Sequence, residues 1–219
     1  RQPVQSLGEL LGRLPGVTGG VSPTGAMSKI TIRGLPDNYT LVLVDGRRVG
    51  NSRDISYRPD LGRQDLNWIS PDMIERIEVV RGPMSSLYGS DAMGGVINII
   101  TEAPSFTPGF SAEATYGNFN AWGLAGSITG PITDQIAGRL YVAKRQRDGF
   151  YDVVTGPGPR QEQDDQNQDF WTARGQLLIL PSDDVSIRLI ADYSKRDEYC
   201  CVSTQVRTGP TYGIITAIG

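Results

Sequence analysis

From Phe110 to Ser194 the chain repeats one simple pattern, in which apolar and polar residues alternate along five successive segments. Apolar residues or glycine occupy every second position within 110–116, 122–128, 140–142, 171–179 and 185–193. Most of the intervening and flanking positions carry polar residues, among them Ser127, Thr129, Arg139, Arg145, Arg174, Gln176 and Arg188. Because the side chains of a strand alternate between its two faces, this period predicts five antiparallel strands with one apolar and one polar face.

The connections between these segments alternate in length. Residues 131–134 and 181–184 are tight turns, whereas 148–169 and the residues from 198 onward are long polar segments. Aromatic residues lie near the predicted strand ends, namely Tyr116, Phe119, Trp122, Phe150, Tyr151, Phe170, Trp171 and Tyr193. These features are typical of an outer-membrane barrel, although the strands of a soluble antiparallel sandwich alternate equally well. Five strands cannot close a barrel in lipid, so we expect the chain to be part of a longer protein.

Residues 1 to 105 lack this pattern and predict an α+β domain. A helix is expected over Val4–Leu14, ended by Pro15-Gly16, because leucines recur there at helical spacing. Asp45-Gly46 between apolar runs predicts a β-hairpin turn. The other predicted elements are strands at 29–33, 40–44, 77–80 and 96–100, and a helical turn begun by Ser70-Pro71-Asp72.

The composition limits the classes of function open to the chain. Its 21 basic and 24 acidic residues give a net charge of −3, so no basic excess favours nucleic acid. The sequence has no histidine, no nucleophile elbow and no phosphate-binding loop, and we therefore predict that the protein is not an enzyme. The two cysteines, Cys200 and Cys201, are adjacent, which permits only a strained disulfide between them or pairing elsewhere.

Four motifs follow one another in a specific order along the first half of the chain. They are the helix ending in Leu14-Pro15-Gly16-Val17, then Ile30–Gly34, then Leu41–Gly46, then Ile74–Thr101. In this order they resemble the plug domain of TonB-dependent outer-membrane receptors. The resemblance implies a plug at 1–105 and, at 106–219, about the first five strands of a 22-stranded barrel. The expected fold is an α+β plug followed by antiparallel transmembrane strands, in the outer membrane of a Gram-negative cell.

Within this family, residues 86–95 are similar to the colicin I and ferric-catecholate receptors and also to the cobalamin receptor. The resemblance implies active transport of an extracellular ligand, with a ferric siderophore as the leading expectation. Its expected partners are the ferric chelate, outer-membrane lipid and TonB, the periplasmic protein that displaces the plug by pulling. The alternatives are the same architecture importing cobalamin, a glycan or an aromatic oligomer, and, in another class, a soluble β-rich adhesin or binding module.

Segment 46–63 carries a local excess of arginine. The guanidinium group offers a planar fork to carboxylate or phenolate oxygens and stacks on aromatic rings, so an anionic, aromatic ferric chelate would suit this segment. The alternative is a solvated loop with scattered charges. Residues 18–28 and 84–88 are further candidates for the outer apex of the plug. The candidate ligand-binding residues are therefore Met27, Arg47, Arg48, Arg53, Tyr57, Arg58 and Tyr88.

Two further sets of charged residues have predicted roles. A plug that is both docked and releasable can use ion pairs, since buried pairs specify position more than they stabilise. The candidates for docking are Arg33, Glu75, Glu78 and Arg81, with a solvated face as the alternative. Loop 148–169 is rich in carboxylates, the ligand type that calcium prefers, and its candidate calcium ligands are Asp164, Asp165 and Asp169. No other cofactor is expected.

Overall fold

The computed structural model describes residues 7–21, 27–35, 39–48, 68–89, 92–152 and 164–199. The elements of the N-terminal part are α1 (Leu7–Gly12), β1 (Val17–Val21), β2 (Met27–Ile32), β3 (Thr40–Val44), β4 (Arg47–Arg48), a 3-10 turn (Pro71–Met73), β5 (Ile74–Arg81), α2 (Ser85–Tyr88) and β6 (Gly95–Thr101). Those of the C-terminal part are β7 (Gly109–Gly117), β8 (Ala121–Thr133), β9 (Ile136–Arg147), β10 (Tyr151–Asp152), β11 (Asp164–Asp165), β12 (Gln168–Ser182) and β13 (Val185–Arg196).

The N-terminal part is built on a four-stranded sheet of order β4-β3-β6-β5, in which β3 and β6 are parallel and the other pairs antiparallel. The predicted hairpin is present, and β3 turns into β4 at Asp45 and Gly46, whose φ angles are 49° and 76°. Two successive residues with positive φ form the turn that matches the twist of the flanking strands, and Asp-Gly tolerates it well. This turn holds the Asp45 side chain at one end of the sheet.

Segment 18–28, predicted as an apex loop, is partly strand. β1 pairs antiparallel with β2, so that Thr18 lies opposite Thr31 and their hydroxyl oxygens are 2.6 Å apart. The loop prediction is wrong for the residues of this segment that belong to β1 and β2. Pairing between the two strands fixes the backbone conformation, which Gly19 by itself would leave unrestricted. The helix α1 ends at Gly12, two residues before the predicted end at Leu14. Within the described residues we find no helix that combines the length and the apolar character needed to cross a membrane.

All five strands predicted in the second half are present, in a sheet of order β13-β12-β9-β8-β7 with every pair antiparallel. Its apolar face points away from the rest of the protein, with Phe110 and Tyr116 exposed by 86% and 85%. Its polar face points toward the N-terminal part and contributes buried Ser127, Arg145, Thr172, Arg174 and Gln176. A soluble sandwich would bury the apolar face, so that alternative is wrong and the sheet has the arrangement of a membrane wall.

The main hydrophobic core joins the N-terminal part to this wall. It comprises Leu7, Leu11, Val17, Ile30, Ile32, Val42, Val44, Ile69, Met73, Ile97 and Ile99, together with Tyr141 and Ala143 of β9. The predicted domain boundary, between residues 105 and 106, falls in the connection between the end of β6 and the start of β7. The N-terminal part is therefore packed against the inner face of the wall as well as connected to it by the chain.

Candidate functional site

The two parts meet through a set of ion pairs that we call the docking cluster. Its members are Asp45, Asp72 and Glu102 from the N-terminal part and Arg139, Arg145, Arg174 and Arg188 from the wall. The three carboxylates come from three separate connections, which follow β3, precede β5 and follow β6. The four arginines lie on β9, β12 and β13, at positions of the polar face that the alternation predicts.

Asp45 is the most buried carboxylate of the cluster. The Arg174 Nη2 donates to its Oδ2 at 2.7 Å, and the two side chains are only 3% and 6% exposed. The Nη1 of Arg188 lies 3.6 Å from Oδ1. Thr101 of β6 adds two donors, with its backbone N–H 2.9 Å from Oδ1 and its hydroxyl 2.9 Å from Oδ2. One turn of the N-terminal part is thus held by two strands of the wall.

Asp72 forms the second contact, in the 3-10 turn before β5. Arg145 of β9 donates through Nη2 to Asp72 Oδ2 at 2.5 Å, and its Nη2 also lies 3.1 Å from the Ser70 hydroxyl. Ser70 in turn donates to Asp72 Oδ2 at 2.9 Å. The Tyr141 hydroxyl donates to the same oxygen at 3.4 Å. Ser70 and Tyr141 therefore fix the orientation of this ion pair.

Glu102 forms the third contact, just after β6. It pairs with Arg139 of β9, whose side chain is 8% exposed, and its backbone carbonyl accepts a hydrogen bond from Gln176 Nε2 at 3.0 Å. Arg188 reaches the same region and donates to the Thr101 hydroxyl at 3.2 Å. Side chains from three strands of the wall therefore converge on the end of β6.

The docking cluster specifies one position of the N-terminal part against the wall. The free-energy cost of removing two charges from water is almost as large as the attraction between them. A buried ion pair with both partners present therefore adds little net stability. Losing one partner leaves the other buried and uncompensated, which costs about 3 to 5 kcal/mol. The cluster contains no nucleophile or proton-transfer arrangement. Its chemistry is that of an electrostatic clamp.

The predicted docking residues lie elsewhere. Glu75 and Glu78 form exposed ion pairs with Arg76 on their own strand, at 2.6 and 2.9 Å. The hydrogen bond that Arg76 donates to Glu78 is the main cause that raises the pKa of Arg76. Arg33 and Arg81 are exposed. Within the described residues these four side chains are not brought to β7–β9, β12 or β13, and their role in docking stays a prediction.

Of the predicted ligand-binding residues, the structure brings Arg48 and Tyr88 together. The Nη2 of Arg48, in the exposed strand β4, donates to the backbone carbonyl of Tyr88, and the Tyr88 side chain packs on the small core around Leu41 and Leu43. Arg47 is exposed beside Arg48. Met27 begins β2 opposite Val21. The remaining candidates, Arg53, Tyr57 and Arg58, lie outside the described residues, as do both cysteines.

The predicted calcium ligands are dispersed in the part of loop 148–169 that is described. Asp164 accepts from the Gly149 N–H at 2.6 Å, Asp165 from the Gln166 N–H at 2.7 Å, and Asp169 pairs with Lys144. Among the described residues no group of three or more acidic, histidine or cysteine side chains is placed to hold a metal ion. Residues 153–163 of the loop are not described, and calcium binding stays a prediction.

Sequence reasoning found the polar face of the wall but missed its partners. The sequence predicts Asp45 only as part of a hairpin turn and Asp72 only as part of a helical turn, since aspartate is common in both kinds of turn for local reasons. The signal that could have revealed these partners is the number of arginines on the polar face. Four arginines that face inward need carboxylate partners, because a buried charge is costly unless it is paired.

An outward apolar face, an inward charged face and a separate domain clamped to the inward face define a membrane wall with an internal plug. Residues 1–96 match the family described as TonB-dependent Receptor Plug Domain. The chain belongs to the TonB-dependent receptors, and it combines the plug with strands of the barrel in the outer membrane. Proteins of this family are transporters, and the prediction that the chain is not an enzyme is confirmed.

Three comparisons illustrate the relationship. The iron-regulated outer membrane virulence protein of Vibrio cholerae is 42% identical over 147 residues, which are 64% of this chain and 22% of the relative. The ferric enterobactin receptor PirA of Pseudomonas aeruginosa is 37% identical over 166 residues, 68% of this chain and 22% of the relative. The crystal structure of the siderophore receptor PirA from Acinetobacter baumannii superposes with a TM-score of 0.69 at 29% identity, covering 90% of this chain and 30% of that one. The chain thus spans about a fifth of the length of these curated relatives.

Proposed function

We propose that the protein imports a ferric siderophore through the outer membrane and that TonB supplies the work that moves the plug. The observation that carries the proposal is the docking cluster, because a domain clamped inside a membrane wall must be displaced before cargo can pass. The names of the relatives support iron as the cargo, since they refer to iron regulation, ferric enterobactin and siderophores.

Opening requires Asp45, Asp72 and Glu102 to separate from their arginines. A ligand can shift this equilibrium only by the difference between its affinities for the two states. Changing the ratio of open to closed plug from 1:99 to 99:1 requires the ligand to bind the open state about 5.5 kcal/mol more tightly than the closed state. For comparison, the loss of one partner of a single buried ion pair costs about 3 to 5 kcal/mol. Ligand binding alone is therefore a poor source of the free energy needed to separate three ion-paired contacts. A mechanical partner such as TonB can supply this free energy.

The surface around Arg47, Arg48 and Tyr88 suits an anionic aromatic chelate. Two exposed guanidinium groups sit on adjacent residues of β4, and the backbone of Tyr88 holds Arg48 in place. Charged hydrogen bonds from arginine to phenolate or carboxylate oxygens contribute about 1.5 to 3 kcal/mol each. This chemistry favours a catecholate-type siderophore over a neutral glycan.

Binding to the complete receptor in detergent tests the cargo. A ferric tris-catecholate should raise the melting temperature by mass action, whereas cobalamin should not. The Arg47→Gln variant should bind the ferric chelate roughly tenfold more weakly, which corresponds to the loss of one charged hydrogen bond. Lys195→Gln, which removes an exposed positive charge at the end of β13, is the matched control and should bind normally. Protection by cobalamin alone would overturn the siderophore assignment.

Uptake by whole cells tests the energy source. Cells that lack TonB should bind labelled ferric chelate at the surface yet fail to accumulate it. Accumulation at the normal rate without TonB would show that the plug opens by another route.

A further inference from the structure

The outward, membrane-facing side of the wall carries a groove of about 650 Å³. Its floor follows two rows of paired residues, Gly130 with Gly138 and Gly175 with Ala191, on four consecutive strands. The side walls are larger apolar residues, namely Ile128, Ile132, Leu140, Leu177 and Leu189. The volume lies within the range of cavities that hold small molecules, about 300 to 1,000 Å³.

The groove exists because glycine exposes the backbone between large side chains. Register places Gly175 beside Leu140 and Leu177 beside Gly138, so each large residue borders a small one. A Cβ added at Gly175 would meet no atom within 4 Å, so this part of the floor is open. An elongated apolar group would therefore fit across the strands.

No further strand of the barrel can cover this groove. Strands β8, β9 and β12 are each hydrogen-bonded on both sides, and a strand added beside β13 would extend the sheet rather than lie on its face. What covers an outward apolar face in a membrane is lipid or another membrane protein.

Three carboxylates lie in the two turns that join the four strands of the groove. The turn between β8 and β9 contains Asp134, two residues beyond Ile132 of the groove, and the turn between β12 and β13 contains Asp183 and Asp184. The turns are joined, because the Leu180 N–H donates to the Gln135 carbonyl at 2.9 Å. Neither turn contains a basic residue. The resulting negative rim repels an anionic head group and attracts an ammonium group.

We propose that the groove binds one acyl chain of a phospholipid whose head group carries a primary amine, as in phosphatidylethanolamine. The chain lies over the glycine floor, and the ammonium group lies at the rim formed by Asp134, Asp183 and Asp184. The site is independent of cargo, because it is on the opposite face of the wall from the docking cluster.

Native mass spectrometry of the complete, delipidated receptor tests this proposal. Phosphatidylethanolamine and phosphatidylglycerol with identical acyl chains are added separately, and the fraction of protein with one retained lipid is measured. We expect phosphatidylethanolamine to be retained at lower concentration. Gly175→Leu fills the open floor and should weaken this retention roughly tenfold, as expected when contacts to a few methylene groups are lost. Ala114→Leu adds the same side chain on the same face, outside the groove, and should leave retention unchanged.

The rim is tested by the triple variant with Asp134→Asn, Asp183→Asn and Asp184→Asn, which should abolish the preference between the two lipids. Retention that is equal in Gly175→Leu and in the unmodified protein would overturn the groove as the site. A preference for phosphatidylglycerol would overturn the assigned head group, and a dimer that dissociates in Gly175→Leu would identify a second copy of the receptor as the occupant instead. Siderophore binding should be normal in every variant, so failure here is distinct from failure of the proposed function.

Discussion

Replacing Asp45 by Asn tests whether the docking cluster controls the position of the plug. The substitution keeps the shape of the side chain and one acceptor oxygen but removes its charge. Arg174, which is 3% exposed, would then depend on Asp192, whose carboxylate lies 3.3 Å away and is 38% exposed. Thr101 could still donate to the remaining amide oxygen, so the local backbone is expected to keep its course.

The expected cost follows from the burial of this contact. Loss of one partner of a buried ion pair costs about 3 to 5 kcal/mol, and the hydrogen bond that the amide oxygen retains returns about 1 kcal/mol. Arg188 contributes little, because its side chain is 25% exposed and its nitrogen is 3.6 Å from the carboxylate. We therefore expect undocking to become easier by about 2 to 4 kcal/mol, which is roughly a 30- to 700-fold larger undocked population.

Hydrogen exchange of the complete receptor measures this population through the backbone amides of β3 and β6. Exchange in these strands should accelerate in Asp45→Asn, while β12 stays protected. The control is Glu9→Gln, which removes the ion pair between Glu9 of α1 and Arg13, the residue after this helix, and should cost under about 0.5 kcal/mol. The double variant with Asp45→Asn and Arg174→Gln should recover part of the loss, because it leaves no buried charge without a partner at that position. Unchanged exchange in Asp45→Asn, or no recovery in the double variant, would refute the electrostatic reasoning.

Four further substitutions have expected outcomes. Gly95→Ala should lower the free energy of unfolding by about 2 kcal/mol or more, and with it the melting temperature. The reason is that Gly95 has a φ of 143° and the new Cβ would lie 2.4 Å from a backbone oxygen. An unchanged melting temperature would show that the strand shifts freely. Asp72→Asn should ease undocking by about 3 kcal/mol in the exchange assay. Tyr141→Phe, which removes the hydroxyl that donates to Asp72 at 3.4 Å, should cost under about 1.5 kcal/mol. Val142→Lys, on the outward face near the middle of β9, should destabilise the protein in bilayers by about 2 to 4 kcal/mol, and a neutral effect on unfolding in lipid would contradict a membrane-facing position.

The local elements followed from sequence wherever a short-range rule fixes them. The turn at Asp45-Gly46 is specified by the two residues that tolerate positive φ, and the strands from Phe110 onward by a period of two that no helix can satisfy. The strand at Thr18 could not be found in this way, since its glycines favour no structure until β2 provides a partner.

The docking cluster was hidden because its partners are far apart in the chain. Asp45 meets Arg174, and Asp72 meets Arg145, across the boundary between two different folds. Glu75 and Glu78 looked equally suitable in sequence, yet they pair with Arg76 at the surface. Local preference cannot distinguish a buried carboxylate from an exposed one.

The sequence by itself determined the five strands of the wall, their two faces and the family, because periodicity and motif order are properties of neighbouring residues. Only the tertiary structure decided which face is outward and which charges are buried. The physical reason is that burial and ion pairing depend on what packs against a face, and here the polar face is covered by a domain folded from residues that precede it in the chain.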